Sequence, residues 1–248
     1  MALILSIETA TEACSLALMR DANVFADVHL QISKAHATQL APMIQTIMQA
    51  TGTAWKQLDA VAVSMGPGSY TGLRIGVSTA KGLCFAHDLP LIGVNTLEAM
   101  AQRVPVFAQE GDLVLSVVDA RRDEVFAAVW QKTAGTWQPY RETSSKLVTE
   151  LADWIQPDAS QTLWLIGDAV KKTFAALVTS VNCLLNVCEA PIFHISAVGV
   201  GQVAWRRFST QTFDALDTFE PYYYKAFEAK KNSRSLADRV PKAKSASV

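Results

Sequence analysis

The most distinctive segment of this 248-residue sequence is rich in glycine and hydroxyl groups. Residues 66–76 read Gly-Pro-Gly-Ser-Tyr-Thr-Gly-Leu-Arg-Ile-Gly and lie between an apolar run and a helical pattern. Because backbone N–H groups at a helix N-terminus attract anions, Ser69 and Thr71 are candidate anion-binding residues. The segment lacks the Gly-Lys-Ser/Thr ending of a P-loop, and a dinucleotide-binding turn would need a small residue in place of Thr71. The glycines also fit a tight, closely packed turn without any ligand.

Two further candidates are acidic residues that each follow an apolar run. Glu8 follows residues 3–7, and Asp119 follows residues 113–118. Such a carboxylate can hold a metal ion through water, and the turn after it can approach phosphate groups. Close approach of the backbone favours glycine, and neither turn contains one. The sequence therefore predicts a degenerate nucleotide or anion site that comprises Glu8, Thr9, Thr11, Ser69, Thr71 and Asp119.

The spacing of histidine and cysteine predicts no metal site. The four histidines, at positions 29, 36, 87 and 194, include no pair at i and i+4, so a helix-borne metal site has no ligands at the needed spacing. This argues against metalloprotease chemistry. The four cysteines are scattered, which indicates neither a zinc site nor a disulfide framework.

Charge is unevenly distributed along the chain. Residues 225–248 contain seven basic and two acidic residues and carry +5, so residues 1–224 carry −6 of the formal net charge of −1. We expect this basic tail to be flexible, and it either is simply solvated or adds salt-dependent attraction to RNA. Apolar residues make up 50% of the chain, but no run approaches the roughly 20 apolar residues of a membrane span. The sequence predicts a soluble, cytoplasmic protein without membrane contact.

Hydrophobic periodicity places the candidate residues between alternating strands and helices. The first half is predicted to contain strands at 3–7, 14–18, 24–30, 59–65 and 91–94, and helices at 36–51 and 69–87. Asn95 and Glu98 have the spacing of a capping box, which predicts the start of another helix.

The second half repeats the opening of the first. Residues 113–129 match residues 3–18 as an apolar strand, an acid, a polar turn and another apolar strand, with Asp119 opposite Glu8. The remaining predicted elements are helices at 144–155, 169–177 and 196–208, and a strand at 163–166. This duplicated β-β-β-α-β-α unit is typical of the two-lobed α/β nucleotide-binding fold of actin, sugar kinases and Hsp70.

The duplication also predicts that the chain is divided into two lobes and a tail. We expect a first lobe at residues 1–105, with helix 196–208 packing back on it, a second lobe at 106–195, and the basic tail at 225–248.

The helix at 69–87 is apolar around much of its surface. Gly72, Gly76, Ala80 and Cys84 recur every four residues and form a ridge of small side chains, which lets another helix approach closely. The sheet beneath, the helix at 36–51 or another subunit must cover the rest of this surface. The pattern predicts a protein interface formed by His36, Leu40, Met43, Ile44, Ile47, Gly72, Leu73, Gly76, Val77 and Ala80.

Four segments, in this order, resemble the bacterial TsaB (YeaZ) family. They are residues 7–15, 66–76, 95–101 and 119–126, and the resemblance extends over about residues 3–225. Glu8 stands where the family often has aspartate. The resemblance implies a two-lobed fold and a non-catalytic role in forming N6-threonylcarbamoyladenosine at position 37 of tRNAs that read codons beginning with adenine.

The resemblance also implies partners. TsaB-like proteins pair with the catalytic TsaD, mainly through first-lobe helices that correspond to 36–51 and 69–87, and work with the ATPase TsaE. No cofactor is expected on the chain alone, whereas ATP and magnesium are expected in the assembly, and contact with tRNA is expected to be indirect. The sequence leaves open whether two copies pair when TsaD is absent.

One alternative to the partner-subunit interpretation stays open. The chain would then be an autonomous ATPase or small-molecule kinase of the same fold, with Glu8, Thr9, Thr11 and Asp119 arranged around magnesium. Nucleotide binding distinguishes the two classes of protein.

Overall fold

A computed structural model describes residues 1–32, 36–104, 108–188 and 195–224. The basic tail and His194, both considered above, lie outside these described residues. None of the helices within them is both long and apolar enough to span a bilayer.

The first half of the chain forms a five-stranded mixed sheet. Its strands are β1 (Leu3–Glu8), β2 (Ala13–Arg20), β3 (Asn23–Gln31), β4 (Ala60–Gly66) and β5 (Leu91–Asn95). They lie in the order β3-β2-β1-β4-β5, with β1 antiparallel to β2 and parallel to β4. Every residue of β1 is buried, as expected for a central strand that is covered on both faces.

Three helices follow the strands of this sheet, as predicted. They are α1 (His36–Ala50), α2 (Tyr70–His87) and α3 (Thr96–Ala101). Ser69 caps α2 by accepting a hydrogen bond from the Gly72 N–H, and Asn95 caps α3 by accepting from the Leu97 and Glu98 N–H groups.

The second half forms a second sheet with the same topology. Its strands are β6 (Leu113–Asp119), β7 (Glu124–Thr133), β8 (Thr136–Leu147), β9 (Thr162–Gly167) and β10 (Leu184–Val187). Their order, β10-β9-β6-β7-β8, repeats that of the first sheet strand for strand. The prediction of a duplicated, two-lobed α/β fold is confirmed. The helices here are α4 (Leu151–Ile155), α5 (Val170–Leu177) and α6 (Ala197–Ser209).

The helix predicted at 144–155 was wrong in its first half. Residues 144–147 are the end of β8, with Ser145 opposite Phe126 and Lys146 opposite Val125 on β7, and α4 begins only at Leu151. A short local pattern favoured a helix, but pairing with a strand 20 residues earlier in the chain decides the structure.

Helix α6 packs on the first sheet. Alternate residues of β1 face opposite sides, so Leu5 and Ile7 contact the core under α1 and α2, whereas Ile4 joins the core under α6. At the start of α6, the Ala197 N–H donates to Ser15 Oγ at 3.1 Å.

Helix α3 contacts the core of the second sheet and is joined to α6, which lies on the first sheet. Leu97 and Met100 of α3 belong to the core on the second sheet, while α6 lies on the first. The predicted capping box is only half formed, because the Glu98 carboxylate contacts Arg206 and Arg207 of α6, each at 3.2 Å, instead of turning back to its own helix. These ion pairs join the two helices.

The small-residue ridge of α2 packs inside the chain. A Cβ atom on Gly72 would lie 2.1 Å from the Thr9 backbone oxygen, and one on Gly76 would lie 2.2 Å from Thr9 Oγ1. These glycines therefore admit the turn after β1, which corrects the expectation that they admit another helix.

Stability measurements on two glycines of α2 test this packing. We expect Gly76→Ala to lower the free energy of unfolding by about 1–3 kcal/mol, because its Cβ would clash with Thr9. Gly82, in the same helix, has open space where a Cβ would lie, so Gly82→Ala should raise the free energy by about 0.5–1 kcal/mol. Urea unfolding measures both, and equal effects of the two substitutions would contradict the assigned packing.

Candidate functional site

The turn after β1 buries the first predicted acid. Glu8 has no exposed surface, and its Oε1 accepts hydrogen bonds from the Ala10 N–H at 2.5 Å and from Ser64 Oγ at 3.0 Å. Its Oε2 is also buried and has no hydrogen-bond partner among the described residues. The Glu8 carboxyl group is therefore enclosed by the protein.

Burial also changes the ionisation of Glu8. Loss of solvent raises the pKa of the Glu8 carboxyl from 4.5 to about 7, although hydrogen bonds from Ala10 and Ser64 lower it. At neutral pH a large share of Glu8 is therefore protonated. A protonated carboxyl is a poor ligand for a hard cation.

The two threonines of the turn are buried as well. Thr9 has no exposed surface, and its Oγ1 donates to the Gly72 carbonyl at 2.9 Å. Thr11 is buried, and its hydroxyl accepts from the Ala13 N–H at 3.4 Å. Both side chains thus serve the local fold.

The loop before α2 occupies the space beside this turn. The Ser69 N–H donates to the Ala10 carbonyl at 2.6 Å, and a Cβ on Gly68 would lie 2.3 Å from the same oxygen. Ser69 and Thr71 are exposed, but the Ser69 hydroxyl already accepts from Gly72 as the helix cap. Of the predicted site, Thr9 and Thr11 are therefore buried, whereas Ser69 and Thr71 are exposed.

The corresponding turn of the second lobe is exposed. The Asp119 carboxylate accepts a short hydrogen bond from Lys172 Nζ, and Lys172 also donates to the Glu124 carbonyl at 2.7 Å. Partial burial would raise the pKa of Asp119, but hydrogen bonds from Lys172 and the Arg121 N–H hold it below its usual range. The Asp119 carboxylate is therefore ionised, and Lys172 balances its charge.

Sequence reasoning missed three residues that contact these acids or their turns: Ser64, Asp168 and Lys172. Asp168 accepts from the Asp119 N–H at 2.8 Å, and burial raises the pKa of its carboxyl. The available signal was Gly-Asp at the end of strand β9, since parallel neighbours such as β6 and β9 end at the same edge of a sheet. Lys172 gave no such signal, because its approach to Asp119 depends on the placement of α5.

All ten predicted interface residues are buried within the chain. The five on α1 and the five on α2 pack on the first sheet or on each other, and His36 Nε2 bonds the Ala13 carbonyl at 3.0 Å. This corrects the prediction, because these side chains are not available to a partner. The outer face of the two helices, defined here as Ala41, Gln45, Ser78, Gly82 and Phe85, is exposed, and Phe85 is 84% exposed.

The fold and these turns define a class of protein. Two sheets of one topology, each with an acidic turn after its first strand, form the two-lobed architecture of the actin and Hsp70-like class. A family model described as "TsaD: tRNA N6-adenosine threonylcarbamoyltransferase" matches residues 29–231. The chain therefore belongs to the TsaD-like family.

Relatives and a solved structure support this assignment. The chain is 42% identical over 150 residues to the tRNA threonylcarbamoyladenosine biosynthesis protein TsaB of Escherichia coli, a match that covers 60% of this chain and 63% of that protein. It is 31% identical over 153 residues to TsaB of Bacillus subtilis, covering 62% and 64%. The structure of YeaZ from Pseudomonas aeruginosa aligns with a TM-score of 0.75 at 25% identity, over 90% of this chain and 100% of that one. The resemblance found in the sequence is confirmed: within the TsaD-like family, the chain belongs to the TsaB (YeaZ) group. It spans about half to two thirds of the length of the curated relatives it matches.

Glu8 should make stability depend on pH. Because its pKa is raised from 4.5 to about 7, the folded state keeps a proton that the unfolded state loses. The resulting stabilisation is complete below pH 4.5 and is lost as the pH rises through 7, a change of about 3 kcal/mol. We expect Glu8→Gln to abolish this component in urea unfolding measured from pH 4.5 to 8.

The control is Glu12→Gln, which alters an exposed acid of the same turn and should leave the profile of the parent protein unchanged. A Glu8→Gln profile parallel to that of the parent would mean that Glu8 is ionised in the folded protein.

Proposed function

We propose that this chain is a non-catalytic subunit in the formation of N6-threonylcarbamoyladenosine at position 37 of tRNAs that read codons beginning with adenine. It pairs with a TsaD-like catalytic subunit and works with a TsaE-like ATPase in the cytoplasm. The names of its relatives supply the pathway. The observation that carries the non-catalytic role is the buried turn after β1, in which Glu8 and Thr9 have no exposed surface.

The outer face of α1 and α2 is the surface that we assign to the TsaD-like partner. The inner faces of both helices are used within the first lobe, so a partner must contact the opposite side. Phe85 supports this choice, because a large aromatic side chain that is mostly exposed is typical of an interface anchor. When the partner is absent, the same face is available to a second copy of the chain.

Nucleotide binding distinguishes the proposed non-catalytic subunit from an autonomous ATPase or kinase. We expect calorimetric titration with ATP and magnesium to give no binding tighter than about 1 mM. The reason is that the Glu8 carboxyl is buried and Asp119 is paired with Lys172. Micromolar binding that Asp119→Asn removes would support the autonomous enzyme and overturn the proposal.

Partner binding provides the positive test. Mixing the protein with the TsaD-like protein of the same organism should give a 1:1 complex by size-exclusion chromatography with light scattering. Phe85→Ser should weaken this complex about ten-fold or more, because it removes the exposed anchor without affecting the core.

The matched control is Leu184→Ser, which changes a side chain that is 62% exposed on β10 of the second lobe. It should leave the affinity unchanged. Equal affinities of the Phe85→Ser variant and the parent protein would remove the assigned surface, and the absence of any complex would remove the partner-subunit role.

A further inference from the structure

A cleft lies between helices α3 and α6 on one side and the hairpin of β7 and β8 on the other. Its volume is about 460 Å³, within the roughly 300–1,000 Å³ of small-molecule sites. Among the described residues, those that line the cleft include no member of the two acidic turns. The cleft is therefore separate from the site considered above.

The wall formed by α3 and α6 carries a net positive charge. Glu98 lies between Arg206 and Arg207, at 3.2 Å from each, so this arginine wall, defined as these three residues, has a net charge of +1. Arg206 also donates to Gln102 at 2.8 Å, and Arg207 donates to the Gly93 carbonyl. These contacts fix both guanidinium groups but use only two of the five N–H donors in each.

The opposite wall, formed by β7 and β8, combines apolar surface with an acid. This tryptophan wall is defined as Trp130, Trp137, Pro139 and Glu142, and Glu142 is exposed and gives the wall a charge of −1. The indole N–H of Trp130 is buried and has no hydrogen-bond partner among the described residues. A buried donor without a partner is costly, and an oxygen atom of a ligand is one kind of group that removes such a cost.

A hydrogen-bond network joins the two walls. Asn95, at the end of β5, accepts from the Leu97 and Glu98 N–H groups. Its Nδ2 donates to Thr143 Oγ1 on β8 at 3.0 Å and to Tyr224 Oη at 3.2 Å. Since Asn95 and Thr143 both line the cleft, this network holds the arginine wall and the tryptophan wall together.

We infer that the cleft binds a zwitterionic α-amino acid with an apolar side chain. The carboxylate of such a ligand matches the arginine wall, because guanidinium groups pair with carboxylates through charge-assisted hydrogen bonds. The ammonium group matches Glu142, and the side chain packs on the two tryptophans. Because the walls have opposite charges, a ligand that carries both charges is complementary to the cleft, whereas an ion of either sign leaves one wall unmatched.

This inference goes beyond the proposed function and does not rest on it. The cleft shares no residue with the outer face of α1 and α2, which we assign to the TsaD-like partner. The two can therefore be tested separately on the same protein.

Calorimetric titration of the full chain with L-phenylalanine at neutral pH tests the inference. We expect saturable 1:1 binding with a dissociation constant of about 100 μM or tighter. Two analogues keep the ring but lack one charged group each: 3-phenylpropionate lacks the ammonium group, and phenethylamine lacks the carboxylate. Each should bind about ten-fold more weakly or worse, because it loses one set of charge-assisted hydrogen bonds.

A variant of the tryptophan wall shows which group of the ligand meets Glu142. Glu142→Gln should weaken binding of L-phenylalanine and of phenethylamine about ten-fold, and it should leave binding of 3-phenylpropionate unchanged. The matched control is Asp153→Asn, which removes an exposed acid on α4 of the same lobe and should change none of the three affinities.

A variant of the arginine wall should show the reverse pattern. Arg206→Gln should weaken binding of L-phenylalanine and of 3-phenylpropionate but not of phenethylamine. Arg207 keeps Glu98 paired in this variant, so α3 and α6 stay joined. A purely structural role of Arg206 would instead weaken all three ligands alike.

The inference is wrong if L-phenylalanine shows no saturable binding, if either analogue binds as tightly as the amino acid, or if Glu142→Gln and Asp153→Asn behave alike. Mixing the same variants with the TsaD-like protein separates this result from the proposed function. A normal 1:1 complex without amino-acid binding removes this inference alone, and amino-acid binding without the complex removes the partner-subunit role alone.

Discussion

Close packing between the turn after β1 and the start of α2 is the constraint on which the first lobe depends. The oxygen atoms of Thr9 lie where Cβ atoms would stand on Gly72 and Gly76, so the helix reaches its position only because both residues are glycine. Thr9 Oγ1 also donates a hydrogen bond to the Gly72 carbonyl. One contact thus joins the central strand, the adjacent turn and the longest helix.

The same contact determines the surroundings of the first turn. A turn that binds phosphate must leave its N–H groups free to approach the ligand. Here the loop before α2 packs on the turn instead, and Glu8 is buried beneath it. Burial of a carboxyl group is costly, and protonation together with hydrogen bonds from Ala10 and Ser64 offsets that cost. Glu8 therefore connects the turn to strand β4 through its hydrogen bonds.

Local patterns in the sequence were sufficient to predict most elements of the fold. They did not reveal which part of the chain packs against each element. Periodicity located α1, α2 and α6, a capping residue located the start of α3, and the duplicated acidic turns indicated two sheets of one topology. The small-residue ridge gave the correct spacing but not the identity of what it packs against, because the Thr9 turn approaches from 63 residues away in the chain. For the same reason the end of β8 was mistaken for a helix, and Lys172 was not foreseen beside Asp119.

The two ends of α2 have different surroundings. Near its start, Arg74 donates a hydrogen bond to Tyr223, whereas Phe85, 11 residues later, lies on the outer face near the end of the helix and is exposed. At 1.5 Å per residue, the two positions are about 16 Å apart along the helix. Because the inner face of α2 is fixed on the sheet, both exposed ends keep a constant separation and orientation. One rigid helix therefore holds an exposed aromatic side chain at a fixed distance from a position that the chain's own residues already contact.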